Sequence, residues 1–135
     1  MKLFLNHARK DEDLARDLRA QLKRAGFAVW DPDDEISARG NWATKVARAL
    51  DNSELMVLLV TPRAFRSDTL RHNVEFAIGS IKYANRLFSV FVGSRTERGK
   101  GVPWILLELP HREIDSAKGF REVVKDIRKL AHANG

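Results

Sequence analysis

The sequence predicts an α/β fold: one doubly wound, five-stranded parallel sheet with helices on both faces. Three observations carry this. The run Leu55-Met56-Val57-Leu58-Leu59-Val60 has no charge and no alternation of polar with apolar residues, the pattern of a strand covered on both faces. Six residues are too few for a buried helix, and Thr61-Pro62 ends the run because proline cannot supply the next ladder donor. Along the rest of the chain, short apolar runs alternate with stretches whose apolar residues recur at helical spacing, as strand–helix–strand crossovers require. Finally, 135 residues make one domain, 1–135, long enough to bury a core without staples.

Each element has its own signal. Lys2–Leu5, with Leu3, Phe4 and Leu5, reads as the first strand and ends in Asn6-His7-Ala8. Asp11-Glu12-Asp13 puts three acids where a helix N-terminus favours negative charge. Leu14, Ala15, Leu18, Leu22 and Ala25 then share one face, and Gly26 stands where a left-handed cap is wanted. Phe27–Trp30 is the second strand, and Asp31–Gly40 is a loop. The helix at Asn41–Asp51 carries the stripe Trp42, Val46, Ala49 and Leu50 into the central strand. After that strand, Ser67-Asp68 is an N-cap for a helix with the stripe Leu70, Val74, Ala77, Ile78 and Ile81. Leu87–Val92 is the fourth strand, Gly93–Gly101 a polar loop and Val102–Leu107 the fifth strand. The last helix turns Phe120, Val123, Val124, Ile127 and Leu130 to the core. This order implies right-handed crossovers and the flavodoxin-like strand order 2-1-3-4-5.

Composition removes several functions. The chain has no cysteine, so disulfides, thiolate metal sites and a cysteine nucleophile are excluded. No apolar run approaches the ~20 residues that span a bilayer, so no membrane partner is expected, and a cysteine-free chain without a signal peptide suits the cytoplasm. The net charge of +6 arises from 24 basic and 18 acidic residues. Basic residues gather at Arg95–Lys100 and at Arg121, Lys125, Arg128 and Lys129, without the interleaved aromatics of a nucleic-acid site, so nucleic acid is not the expected partner. Asp31, Asp33, Asp34 and Glu35 lack EF-hand spacing and read as a solvated run, so no metal is expected.

In open α/β sheets, ligands sit beyond the carboxyl ends of the strands. A response-regulator receiver needs acids after strand one, an Asp ending strand three and a Lys ending strand five; this chain has Asn6-His7, Thr61-Pro62 and Glu108. Asn6-His7-Ala8-Arg9-Lys10 has no glycine and cannot make the phosphate loop of a flavodoxin, and Gly-x-Gly-x-x-Gly is absent. A nucleoside-transferase relative on the same open sheet is a remaining minor alternative.

An ordered set of segments does match. Phe4-Leu5-Asn6-His7-Ala8 with Lys10-Asp11, Gly26-Phe27-Ala28-Val29-Trp30-Asp31, Ile36 to Trp42 with Gly40, Val60-Thr61-Pro62, Asn85 to Val90 and the Phe120 helix together resemble the TIR (Toll/interleukin-1 receptor) domain, in its bacterial form, over nearly the whole chain. The resemblance implies one of two functions. The first is cleavage of the nicotinamide–ribose bond of NAD, as glycohydrolase or cyclase, in signalling or defence, with NAD as substrate and no cofactor. The second is a non-catalytic module that associates with other TIR domains through the loop holding Ile36, Arg39 and Gly40.

The resemblance also assigns residues. Asn6, His7, Trp30, Trp42 and Ser67 would line the substrate cleft, although a strand-end histidine is as often a loop contact and both tryptophans suit core packing. The family carries its catalytic carboxylate as a Glu on the helix after the third strand, commonly with Trp four residues before it. Here that register puts Asn73 at the Glu position and Thr69 at the Trp position. Glu75 is about 200° further round the helix and replaces Asn73 only if the register shifts by two. The site is weakened, or the residue was altered, or the register shifts.

Overall fold

The computed structural model describes residues 1–30, 42–80, 83, 86–93 and 101–134, the side chains of 42–45 and 133–134 excepted. Five parallel strands form one sheet: β1 (Lys2–Asn6), β2 (Ala28–Trp30), β3 (Leu55–Val60), β4 (Leu87–Val92) and β5 (His111–Ile114). Their order is β2-β1-β3-β4-β5, the flavodoxin-like order expected. Four helices connect them: α1 (Glu12–Arg24), α2 (Trp42–Asn52), α3 (Asp68–Gly79) and α4 (Phe120–Asn134). All six residues of β3 are buried, as an unbroken apolar run between two helix layers must be.

The pleat divides the core in two. Phe4, Met56, Leu58, Val60, Leu87 and Phe91 face α2 and α3, where Val46, Leu50, Leu70, Val74 and Ala77 meet them. Leu3, Leu5, Leu55, Val57, Leu59 and Val90 face α1 and α4, against Leu18, Leu22, Phe120, Val123 and Ile127. Register places Asn6, Leu58, Ser89 and His111 side by side across four strands. Three polar side chains, Asn6, Ser89 and His111, therefore share the sheet face covered by α2 and α3, Asn6 at the carboxyl end of β1.

Local signals account for the boundaries. Gly26 takes φ +99° after α1, its N–H bonding the Lys23 carbonyl while Phe27 N–H reaches Leu22 O at 3.1 Å, a left-handed helix stop. Ser67 caps α3, its Oγ accepting from Leu70 N at 3.2 Å. Tyr83, 1% exposed, donates its hydroxyl to the Leu50 carbonyl at the end of α2. Burial, with a smaller contribution from the Asp51 charge, pushes the pKa of that hydroxyl up to about 12.

Two expectations are corrected. The fifth strand is not Val102–Leu107: Trp104–Leu107 is a 3-10 turn, and the strand follows at His111–Ile114. Gly101 at φ +93° and Pro103 at φ −63° start a turn there, with Leu106 buried while Trp104 and Leu107 are exposed. The actual β5 was hidden because His-Arg-Glu-Ile is an edge strand with one buried residue, Ile114, and Arg112 in an ion pair with Asp126 on α4. The α3 stripe also differs: Leu70, Asn73, Val74 and Ala77 face inward, while Ile78 is 41% exposed. The 3.6-residue repeat that buries 70, 74 and 77 puts 73, not 78, on the inner face. Ile81 lies outside the described residues.

Candidate functional site

The chain leaves β1 in one direction and β3 in the other, so the gap between their carboxyl ends is the topological switch point of the sheet. Each strand is followed by a 3-10 turn, Arg9–Asp11 after β1 and Ala64–Arg66 after β3. Asp11 joins them. Its carboxylate is buried, accepts the Thr61 hydroxyl at 2.6 Å and lies 3.7 Å from Nε of Arg63. Between the turns is a pocket of ≈ 330 Å³ lined by Ala8, Arg9, Lys10, Arg63, Arg66 and Ser67. Four cationic side chains around one opening, with the buried Asp11 behind them, make a site for an anion such as a phosphate group.

The residues expected from the sequence are distributed as follows. Asn6 is 1% exposed and donates from Nδ2 to the Leu70 carbonyl at 3.3 Å, which ties the end of β1 to the first turns of α3. His7 is buried with Nδ1 2.7 Å from the Ala8 carbonyl, an acceptor, so Nδ1 carries the hydrogen of that contact. Its Nε2 is 3.4 Å from Glu12 Oε2, and Glu12 also accepts from Arg19 at 3.3 Å. Ser67 spends its hydroxyl lone pair on the cap and lines the pocket.

Asn73 is 5% exposed on the inner face of α3, one turn beyond the carbonyl that Asn6 holds. Its Nδ2 has no hydrogen-bond partner among the described residues, and neither has Ser89 Oγ on the same sheet face. A buried amide donor without an acceptor costs free energy unless something outside the described residues satisfies it. Glu75 is exposed on the opposite side of α3, and Thr69 is exposed in its first turn.

Of these residues only Ser67 lines the pocket between the turns; Asn6, His7 and Asn73 are buried beside it, and Trp30 lies elsewhere. It stacks on Phe4 with ring centroids 5.0 Å apart and lines a separate opening of ≈ 410 Å³ beside the β2 edge, with Lys2, Arg48 and Asn52. Trp42 begins α2, but its side chain is not described, and Ile36, Arg39 and Gly40 lie outside the described residues. Among the described residues no cluster of three or more His, Cys, Asp or Glu could hold a metal ion. No helix among them is long and apolar enough to cross a membrane.

Sequence reasoning missed Arg9, Lys10, Arg63 and Arg66 as a group, and read Asp11 as a helix-terminus acid and a member of the first matching segment, not as a partner of Thr61. The available signal was two pairs of cations, each just after an apolar strand run, which the parallel pairing of β1 with β3 brings to one end of the sheet.

Fold and pocket together define a doubly wound α/β domain with a cation-lined cleft at its switch point. The chain belongs to the TIR domain family, which it matches over residues 3–124. Similar solved structures include the TIR domain of the Toll-related receptor TRR-2 from Hydra magnipapillata, at 16% identity and TM-score 0.71, covering 93% of this chain and 97% of that one. A metazoan TIR-STING receptor from C. gigas, solved in complex with 2′,3′-cGAMP, aligns at 16% identity and TM-score 0.67 over 93% of this chain. This chain spans 38% of that receptor's length. A point mutant of flavodoxin from Pseudomonas aeruginosa aligns at 15% identity and TM-score 0.55, over 95% and 99% of the two chains. At these identities the likeness is one of fold. No curated protein matches the chain.

Proposed function

We propose that this TIR domain binds NAD across the switch-point cleft and cleaves its nicotinamide–ribose bond slowly, because an amide stands where the family has a carboxylate. The observation that carries this is Asn73, buried on the inner face of α3 with no partner for Nδ2 among the described residues, one turn from the carbonyl held by Asn6. The pyrophosphate suits the cations of Arg9, Lys10, Arg63 and Arg66. In the reaction, the bond from the ribose C1′ to the nicotinamide nitrogen breaks, and nicotinamide leaves neutral with the bonding pair. Water adds at C1′, giving ADP-ribose and releasing a proton. Asn73 can hold a ribose hydroxyl but adds no negative charge beside the oxocarbenium-like centre, so the electrostatic part of the help is missing.

Nicotinamide release by the chain as it stands, by Asn73→Glu and by Glu75→Gln tests the reading. Slow release that Asn73→Glu accelerates supports it. Brisk turnover abolished by Glu75→Gln would move the catalytic role to Glu75 and shift the register by two residues.

A second reading, a non-catalytic module of TIR–TIR association in signalling or bacterial defence, is favoured by the same neutral Asn73 and by the exposed apolar side chains of Trp104, Leu107 and Phe76. Sedimentation of the chain and of Arg39→Ala at high concentration tests it: the variant should lose self-association while keeping its fold.

A further inference from the structure

The helix layer formed by α1 and α4 carries a groove of ≈ 920 Å³ that the strand-end chemistry does not use. It is lined by Arg24 of α1, by Lys118 in the turn ahead of α4, and by Arg121, Glu122, Lys125 and Arg128 of α4. Lys118, Arg121, Lys125 and Arg128 follow at intervals of three, four and three, one stripe about 15 Å long. Like charges at this spacing destabilise a helix. Several arginines elsewhere are paired with carboxylates: Arg16 and Arg19 with Glu12, Arg63 with Asp11, Arg71 with Asp68 and Arg112 with Asp126. In the groove the only such contact is Lys125 Nζ to Glu122 Oε1 at 3.5 Å, and Arg24, Lys118, Arg121 and Arg128 have no carboxylate partner among the described residues. Two heads are steadied by backbone carbonyls, Arg128 on Ala25 at 3.2 Å and Arg24 on Ala20 at 3.4 Å.

We propose that this groove docks an acidic peptide segment of a protein partner. The uncompensated cations call for a polyanion, and the lining selects among polyanions. Among the described residues it contains no aromatic side chain on which bases could stack, against single-stranded nucleic acid. Among the described residues its only apolar side chains, Ala117 and Val124, are half-buried and offer little to insert into a bilayer. A duplex is wider than the gap between two packed helices and reaches only the rim. An extended chain of Asp and Glu fits between them, with carboxylates accepting paired N–H groups from the arginines.

Fluorescence anisotropy of the full chain with a labelled, Glu-rich peptide of about twelve residues tests this, with duplex DNA and phosphatidylserine vesicles as rival probes. Saturable binding of the peptide should weaken as salt rises. It should fall at least tenfold in Arg121→Glu/Lys125→Glu and stay unchanged in Arg63→Ala/Arg66→Ala, which alters the strand-end pocket. Arg24→Glu, on the other wall, should act in the same direction and serves if the double variant does not fold. The proposal is overturned if the peptide does not bind, if DNA or vesicles bind as tightly, or if the strand-end variant rather than the groove variant abolishes binding. Concentration-dependent self-association lost in the groove variant, with no peptide bound, would replace the partner by a second copy of this chain.

Discussion

Thr61, the first residue after β3, donates its hydroxyl to the carboxylate of Asp11 at 2.6 Å, across fifty residues of chain. This contact fastens the 3-10 turns after β1 and β3 to each other and backs the cationic pocket between them. Thr61→Val keeps the shape and removes the donor from a buried carboxylate. It should destabilise the fold by about 1–3 kcal/mol. Urea unfolding with an unchanged m-value is the check; a midpoint within error of the parent would deny the bond any weight.

Asn73 separates stability from chemistry. Asn73→Leu removes an amide whose donor has no partner among the described residues and replaces it by an apolar group of similar size, so stability should change by less than about 1 kcal/mol or rise. Asn73→Glu should raise nicotinamide release by about 10²–10³. Glu75→Gln, on the exposed side, should leave both melting and release near the parent values.

The pocket cations should act on binding rather than on the bond-breaking step. In the Asn73→Glu background, Arg63→Ala/Arg66→Ala should raise KM for NAD about tenfold or more with kcat little changed. An equal fall in kcat at constant KM would place these arginines in the transition state instead.

Tyr83 predicts a pH dependence. Folded, it keeps its proton to about 12, whereas an unfolded tyrosine ionises near 10. Between those values the folded state binds more protons, so stability from the neutral phenol is present below about 10 and is lost as pH rises toward about 12. Tyr83→Phe should cost about 1–2 kcal/mol at pH 7 by removing the hydroxyl bond to Leu50 O. The gap between parent and variant in urea unfolding should close at pH 11; a constant gap would show that the phenol does not titrate with folding.

Much of the fold was legible because its signals are local. Six apolar residues announce β3, Gly26 stops α1 and Ser67 starts α3, each by chemistry contained in a few neighbours. Where an edge strand buries one side chain, as in β5, periodicity has nothing to grip, and the more apolar Val102–Leu107 was the natural but mistaken choice. The apolar stripe of α3 passed over Asn73 in favour of Ile78, because a buried amide carries no hydrophobic signal; only the angle between Asn73 and Glu75 followed from helical spacing. The Asp11–Thr61 contact did not, because no local pattern says which acid meets which hydroxyl across a sheet. For Trp30 the sequence left cleft and core packing open, because an aromatic at a strand end serves either; in the structure it stacks on Phe4 and borders the opening at the β2 edge.

The two outer strands carry a consequence for how copies of this domain can meet. β2 is three residues long and β5 four, with the Arg112 guanidinium of β5 held by Asp126. Such short rims offer few free ladder groups for templating, and a clamped charge on one of them discourages an incoming backbone. Any fibre or ring built from this domain must then be cemented side chain to side chain across helices and loops, not by continuing the sheet. Such an assembly would lack the continuous backbone ladder of a cross-β aggregate.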